Sequence, residues 1–485
     1  MLSRIAPGLR WGAFCVSLIL CGCKAVGPDY KTPKLSETEL PQRWTSPTGK
    51  AAATAPQAAA AQWWAELADP ALNDLVNEAF SNSPTLEAAL ARLNESRAAH
   101  AQASGAALPG LGASAAGQRA DSGPDSAPSN SGWLSLNSSW ELDLFGAVRR
   151  GSEGAAAREE AQLATLADAR VSLAADVADA YLSYRACQSQ ETLSEQDLSS
   201  REATRKLTAD SAEVGFTAPY LAIRSAASVA EAKTRLSDSR SQCQQLENLI
   251  TRLSGIARPT LAKLLAQAPT GLNRLPEPRH FDVAIPAQAV MQRPDVRAVE
   301  RSLAAASADV GLAEADRFPR IALNGELGYS SNGSSTGGGY LSFGSWSFGP
   351  SMSLPIFDGG RRAAAVKSAE SRYAEALAAY KAKAREAIQE IENALTRYAA
   401  TLDRTENART AARQYDQFFK VVENRYREGA SNLLELEDAR RTRLDAQQSL
   451  LSVQKERLQA WIALNRATGG AADYAPEPAA PGKSS

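Results

Sequence analysis

Residues that commonly carry out chemistry are sparse in this chain. Its two histidines, His100 and His280, lie far apart, and neither belongs to a pattern with metal-ligand spacing. The glycine-rich stretch Asp358–Arg362 follows a strand-like run and is better explained as a strand-to-helix turn than as a phosphate loop. Aspartate and glutamate are plentiful, but they fall on helix-forming sequence, where a solvated surface is the usual explanation. We therefore expect neither an enzyme nor a metal or cofactor site.

Two cysteines have a spacing that permits a covalent bond. Cys187 lies 28 residues before Gly215, and Cys243 lies 28 residues after it. In an antiparallel helical pair that turns at Gly215, the two side chains stand at the same height. A disulfide can form if their Cα atoms come within about 7 Å, and an oxidising compartment would permit it. The alternative is that two small residues simply pack on one seam.

Residues 1–22 have the pattern of a lipoprotein signal peptide. Arg4 and Arg10 form a basic region before the apolar run Trp11–Leu20. Gly22-Cys23 then completes a lipobox with a leucine three positions before the cysteine. Cys23 would then carry a covalent diacylglycerol and an N-linked palmitate as the first residue of the mature protein. Lys24 replaces the aspartate that retains such proteins in the inner membrane, so the outer membrane is favoured. Ordinary signal cleavage beside an incidental cysteine is the alternative.

Composition limits the kind of partner. With 53 basic and 54 acidic residues the net charge is −1, which gives no reason to expect a nucleic acid. The hydrophobic fraction of 44% consists largely of alanine, and this suits thin, closely packed helices. After residue 23 no stretch approaches the roughly 18 apolar residues that a membrane-spanning helix requires.

The chain contains an internal repeat. Pro84 in NSPTLEAA matches Pro294 in QRPDVRAV, 210 residues later, and Leu108-Pro109 matches Phe318-Pro319 at the same offset. Each half predicts a helix, two strands, a very long helix, a tight turn and a further helix. We divide the chain into a lipidated N-terminal strap (23–62), a first repeat (63–258), a linker (259–286), a second repeat (287–470) and a C-terminal tail (471–485).

The predicted strands have one apolar and one polar face. Leucine or tryptophan occupies most even positions from Leu134 to Leu144, and polar residues occupy the odd ones. A similar alternation is seen at Ile321–Tyr329 and Ser345–Ile356, whereas the first strand, near Leu111–Gly117, is weak. Half-exposed strands of a sandwich alternate in the same way. Lengths near 10 residues and aromatic residues near the ends favour a transmembrane β-barrel.

Four strands cannot close such a barrel. In lipid every backbone group must be paired, so an open sheet edge is excluded, and the smallest single-chain barrels have about eight strands. Three copies under cyclic symmetry would supply about twelve strands. Two copies would supply only about eight strands, a barrel too narrow to serve as a channel. We therefore expect a homotrimer.

The longest predicted helix runs from Arg361 to Arg427 without proline or glycine. Its length would be about 100 Å at 1.5 Å per residue. Apolar residues recur along it at spacings of three and four, a pattern typical of a coiled-coil seam, at Ile388, Ile391, Leu395, Tyr398 and Leu402. A second seam is predicted for the first repeat at Leu163, Leu166, Arg170, Leu173, Val177, Ala180 and Tyr184.

Several short motifs in this order resemble the TolC-like outer membrane factor lipoproteins of tripartite efflux systems, with the NodT/OprM type as the best match. They are GPDY after the lipidated cysteine, WELDLFG, LPIFDGG, GFTAP and EGASN. The resemblance implies a mainly α fold with a membrane β-barrel part. Four strands per protomer would give a trimeric barrel of about twelve strands, continued by a long periplasmic α-helical coiled-coil barrel. The implied partners are outer membrane lipid, a periplasmic adaptor protein and an inner membrane RND-type pump.

The resemblance also implies a gate at the periplasmic tip. On the segment RYREGASNLLELEDARR it assigns the apolar constriction to Leu434, the carboxylate ring to Asp438, and gate-holding links to Tyr426 and Arg441. Leu434, Asp438 and Arg441 lie four and three residues apart, so they share one helix face. The residues alone are equally compatible with an ordinary solvated ion pair between Asp438 and Arg441.

The hairpin turns are implied to contact the adaptor. The residues concerned are Gly215, Phe216 and Thr217 in the first hairpin, and Gly429, Ala430 and Ser431 in the second. The first hairpin departs from the family pattern, because Leu221 stands where relatives often have an aspartate.

The function implied is a passive duct that exports drugs or other small molecules across the outer membrane. An outer membrane component of a type I protein secretion system would have the same fold with a different cargo. A non-conducting envelope lipoprotein is a further alternative.

Overall fold

The computed structural model describes residues 25–33, 44, 62–121, 128–267, 275–276, 290–291, 293–334 and 341–470. A short 3-10 helix at Trp63–Leu67 precedes the regular elements. These are α1 (Pro70–Asn82), α2 (Pro84–Gly105), β1 (Gly110–Ala120), β2 (Ser129–Leu142), α3 (Ala147–Glu213), α4 (Pro219–Ser254), α5 (Arg258–Gln267), α6 (Pro294–Ala315), β3 (Arg320–Ser334), β4 (Leu341–Ser353), α7 (Arg361–Arg427) and α8 (Leu433–Ala467).

The two halves of the chain share one order of elements. The helices before the strands, α2 and α6, have 22 residues each. The helices after the strands, α3 and α7, have 67 residues each, and α4 and α8 have 36 and 35. The predicted bounds of α7 are confirmed at both ends. The predicted linker contains a helix, α5, because Leu261 and Leu265 bury their side chains there.

Glycine ends both long helices. Gly215 and Gly429 have φ angles of +80° and +76°, a conformation that L side chains rarely adopt, and each follows the last turn of its helix. Pro219 then begins α4, and the side chain of Asn432 caps α8 by accepting a hydrogen bond from the Glu435 N–H (2.9 Å). These local signals fix where each hairpin turns.

The four strands form one antiparallel sheet in the order β1-β2-β3-β4. The register places apolar residues of neighbouring strands side by side: Leu136 pairs with Leu327, and Leu327 pairs with Trp346. All three side chains are exposed in the single chain, and Trp346 is 78% exposed. The adjoining row on the opposite face is polar, at Asn137, Glu326 and Ser347. The predicted two-faced sheet is confirmed.

The predicted strand ends are partly wrong. Alternation continues to Leu144 and Ile356 in the sequence, but β2 ends at Leu142 and β4 at Ser353. A strand lasts only as long as its neighbour offers hydrogen bonds, and the pairing of β3 with β4 starts at Arg320 opposite Ser353. Leu354, Ile356 and Phe357 are therefore exposed residues between strand and helix.

The chain forms two compact units. One comprises residues 1–34, 91–163 and 298–382, and includes the sheet. The other comprises residues 35–90, 164–297 and 383–485. In the second unit Trp63, Trp64 and Trp461 lie in a buried apolar cluster, where the ring centroids of Trp63 and Trp461 are 5.3 Å apart. Tyr181 donates a hydrogen bond to Asp69 (2.6 Å) beside this cluster.

The seam of α7 differs in one position from its prediction. Ile391 and Leu395 are buried as predicted, but Leu402 is 37% exposed and Thr401 is fully buried in its place. The buried positions Ala384, Ala387 and Ile391 set a helical phase in which residue 401 faces inward. The helical phase, and not the polarity of the side chain, therefore decides that Thr401 is buried and Leu402 is partly exposed.

Cys187 and Cys243 are joined by a disulfide, with their Cα atoms 5.6 Å apart. Both residues are buried between α3 and α4. Equal distance from Gly215 does place them at one height.

Within the described part of the chain, no helix combines the length and the apolar character needed to cross a membrane.

Candidate functional site

The tip of the second hairpin is held by side chains around its turn. Arg425 donates to the Ala430 carbonyl (3.0 Å) and to Glu435 (3.3 Å). The Ser431 hydroxyl donates to Glu435 (2.6 Å), whose N–H is bound by Asn432. The turn Gly429-Ala430-Ser431 is therefore held by polar contacts, with charged groups on both sides.

The predicted gate residues Leu434, Asp438 and Arg441 share one face of α8. Leu434 is 60% exposed. An Arg441 guanidinium nitrogen lies 2.5 Å from a carboxylate oxygen of Asp438, and both side chains are mostly exposed. In the single chain this is a solvated i,i+3 pair of the kind that contributes about 0–1 kcal/mol.

Tyr426 stands apart from those three residues. Its hydroxyl lies 3.0 Å from the Thr208 hydroxyl of α3, and its ring packs against a small cluster at Phe419, Val422, Leu436 and Ala439. Tyr426 therefore connects the end of α7 to the first hairpin. It does not contact Arg441 through any described hydrogen bond.

The tip of the first hairpin is apolar. Phe216 is 89% exposed, and Val214, Tyr220 and Ile223 are also exposed. Backbone N–H groups of Phe216 and Thr217 both donate to the Ser211 carbonyl (2.9 and 3.1 Å). The two tips thus share one backbone design but offer different chemistry, apolar in one and charged in the other.

A groove of about 550 Å³ runs between α4 and α8 and includes the predicted gate residues Leu434, Asp438 and Arg441. Arg224, Glu231 and Arg235 line it from α4, and Asp438, Arg441 and Asp445 line it from α8. Positive and negative side chains therefore face one another across the groove.

A set of buried charges behind the predicted gate residues was not predicted from the sequence. Asp197 and Arg201 of α3 meet Glu437 and Arg440 of α8, and all four side chains are largely buried. Burial lowers the pKa of Arg440 below the usual arginine value. The available signal was the spacing. Glu437 and Arg440 each lie four residues after a buried leucine, Leu433 and Leu436, at a coiled-coil spacing where an apolar residue is usual.

Cys23 lies outside the described residues, but the segment that follows it is described. The Val26 N–H donates to the Phe145 carbonyl (3.0 Å), and Arg150 donates to the Gly27 carbonyl (3.3 Å) and to Asp29 (2.7 Å). Residues 25–33, the described beginning of the predicted N-terminal strap, are therefore fixed beside the corner between β2 and α3.

Three features together define an outer membrane channel of the TolC type. They are a sheet with one apolar face, 67-residue helices that follow its strands, and paired hairpins with a charged face near their tips. A profile of the family described as outer membrane efflux protein matches residues 75–256 and 285–470. The chain belongs to this family.

Individual relatives agree over nearly the whole length. The chain is 30% identical over 469 residues to nodulation protein T of Rhizobium leguminosarum bv. viciae, covering 95% of this chain and 93% of the relative. It is 30% identical to the toluene efflux pump outer membrane protein TtgC of Pseudomonas putida, covering 94% of each. The solved structure of the outer-membrane channel OprN superposes with a TM-score of 0.80 at 31% identity, covering 92% of this chain and 99% of that one.

These likenesses confirm the predicted TolC-like fold, the location in the outer membrane and the function of an efflux channel.

Proposed function

We propose that the chain forms a passive homotrimeric duct that is closed at its periplasmic tip and passes small molecules across the outer membrane. The observation that carries this proposal is the four-stranded sheet, whose exposed apolar row and outer strands β1 and β4 leave it incomplete. Three copies would give about twelve strands and pair every edge. The relatives that are named for efflux favour small molecules over a secreted protein as cargo.

The gate in this proposal consists of the exposed face of α8. Three copies of Leu434 would narrow the pore, and three carboxylates of Asp438, one helical turn further from the tip, would repel one another and attract cations. Arg441 partly neutralises each carboxylate at 2.5 Å and so permits their approach. No catalytic step is required, because the energy for export would come from the inner membrane pump.

The proposed partners, a lipid anchor and a periplasmic adaptor, follow from the chemistry of Cys23 and of the two hairpin tips. Cys23 would carry the diacylglycerol and palmitate, and the strap would hold this lipid anchor near the end of β2. The apolar tip at Phe216 and the polar tip at Ala430 would meet a periplasmic adaptor, which connects the duct to an RND-type pump. An adaptor that fits both tips needs apolar and polar contacts in alternation.

Single-channel recording in planar lipid bilayers tests the gate. Asp438→Ala removes the three carboxylates and leaves three Arg441 guanidinium groups without their partners. These like charges would repel one another at the constriction, so we expect a higher conductance together with weaker cation selectivity. Cells that depend on this variant should also become more susceptible to hydrophilic antibiotics, which enter through the opened duct.

The matched control is Asp238→Ala, the same substitution at an exposed position on α4. It should leave conductance and selectivity unchanged. If purified protein inserts as trimers and neither variant differs from wild type, the gate assignment is wrong. If no conductance is seen at all, the non-conducting alternative is favoured.

A further inference from the structure

Four charged side chains form a network between the first hairpin and α8. Arg201 of α3 donates to Glu437 of α8 (2.9 Å) and to Asp197 of its own helix (2.9 Å). Arg440 of α8 also pairs with Glu437 and donates to the Thr204 hydroxyl of α3 (2.7 Å). The network therefore connects the two hairpins at two points one helical turn apart.

Burial separates this network from the surface pairs of the same helices. The side chains of Asp197, Arg201, Glu437 and Arg440 are 5, 8, 15 and 2% exposed. Removing charges from water is costly, and only good geometry offsets that cost. When one partner of such a pair is lost, the other is left as an uncompensated buried charge.

The contribution of these four charges to stability does not by itself explain the network. The Asp197 Oδ1 and Arg440 Nε atoms are buried without a hydrogen-bond partner among the described residues. Apolar residues of similar size at such positions are often equally or more stabilising. Buried charges that persist at a seam can instead specify one arrangement of the elements and disfavour others.

The charged network lies directly beside the proposed gate residues on α8. Glu437 and Arg440 each precede a gate residue directly, Asp438 and Arg441, and successive residues of a helix point about 100° apart. The exposed face of α8 therefore bears the gate, and the adjoining buried face bears the network. Any rotation or withdrawal of this part of α8 has to break the contacts of Arg201 and Arg440.

We propose that Asp197, Arg201, Glu437 and Arg440 form a latch that holds the gate-bearing part of α8 against α3 and so keeps the duct closed. These are positioning residues, because they act through the placement of Leu434 and Asp438. The proposal rests on the channel function proposed above and assigns a closing role to residues behind the pore. Opening then requires the Arg201–Glu437 pair to separate while Asp438 is carried outward.

Conductance measurements on Glu437→Gln test the latch. The substitution keeps the size of the side chain but removes its charge, so Arg201 and Arg440 lose their shared carboxylate. We expect the open probability to rise about tenfold or more, since the breaking of a buried pair shifts a two-state equilibrium by at least that factor. Arg201→Gln should have the same effect, and the double variant should be no more open than either single one.

Arg240→Gln is the matched control. Arg240 also contacts two carboxylates, Glu191 and Glu195 (2.9 and 2.8 Å), but both lie within the first hairpin and the pairs are exposed. Its loss should leave the open probability unchanged. Thermal melting of each purified trimer separates gating from stability, because a merely structural role would lower the melting temperature without opening the channels that remain.

Ser228→Ala is a milder variant in case Glu437→Gln does not assemble. The Ser228 hydroxyl contacts Arg201 and donates to Glu437 (3.4 Å), so its removal should raise the open probability in the same direction by a smaller factor. If Asp438→Ala opens the channel but Glu437→Gln and Ser228→Ala do not, the latch is refuted and the channel function stands. If Asp438→Ala has no effect either, the gate assignment itself fails.

Discussion

Charged residues near the hairpin tips fall into two groups with different energetics. Exposed pairs such as Asp438–Arg441 contribute about 0–1 kcal/mol each to stability. The buried Arg201–Glu437 pair is different, because loss of one partner costs about 3–5 kcal/mol. Under the proposed gating role, substitutions on the exposed face of α8 should therefore change conduction with little effect on folding, whereas substitutions of the buried charges behind that face should affect both.

The disulfide gives a prediction at the same scale. Replacing Cys187 and Cys243 by serine should lower the free energy of unfolding by up to about 4 kcal/mol, since the bond closes a loop of 56 residues in the unfolded chain. Thermal melting with and without a reductant measures this. The reductant should lower the melting temperature of the wild type and leave the double variant unchanged. An equal response in both would mean that the bond does not form in the mature protein.

Individual residues could be predicted where a local rule applied. Equal offsets from Gly215 place Cys187 and Cys243 at one height. The burial of Thr401 could not be predicted, because the phase of the α7 seam is set by alanines that carry little hydrophobic signal. The burial of Glu437 was not predicted either, because a charged residue on a long helix normally lies on the surface and only the packed partner helix makes it buried.

The helices could be predicted with closer bounds than the strands. Glycine and asparagine end or cap helices by their own conformational preferences, so Arg427 and Asn432 could be read from the sequence. A strand end depends on its neighbour, and for that reason the predicted extension to Ile356 was wrong.

The strap provides a prediction about an element without regular secondary structure. Glu300 of α6 accepts hydrogen bonds from Tyr30 (2.6 Å) and Thr32 (3.0 Å), and Arg301 pairs with the same carboxylate. Glu300→Gln should weaken the docking of residues 25–33 by about 2 kcal/mol, since hydrogen bonds to a charged group are lost. Hydrogen exchange of the strap amides should then accelerate, while that of α6 stays unchanged. Equal exchange in both proteins would show that other contacts hold the strap.

Acid should have the same effect as this substitution. Burial opposes ionisation of Glu300, but hydrogen bonds from Arg301 and Tyr30 outweigh it and lower its pKa below the usual glutamate value. A lowered folded-state pKa means that the stabilisation is fully present above about pH 4.3 and is lost as the pH falls through the folded value. The protection factors of the strap amides, which correct for the slower intrinsic exchange in acid, should decrease in that acidic range in the wild type. In Glu300→Gln the acid effect should be smaller.

At the scale of the whole molecule, folding of the sheet and association of copies are coupled. Each outer strand, β1 and β4, has one side without a strand partner in the described sheet. An unpaired backbone group in lipid costs several kcal/mol, so a lone protomer could not remain inserted. Membrane insertion and trimer formation should therefore occur together, and a variant that impairs one should impair the other.

The two faces of the sheet make this coupling testable. Trp346 lies in the apolar row with Leu327, and Ser347 lies in the polar row opposite Glu326. If the apolar row faces lipid, Trp346→Lys places a charge in the bilayer at a cost of about 3 kcal/mol in each copy. Ser347→Lys places the same charge toward water, where Glu326 can pair with it. We expect outer membrane fractions to contain far fewer trimers of Trp346→Lys than of Ser347→Lys, and the reverse result would mean that the faces are assigned the wrong way round.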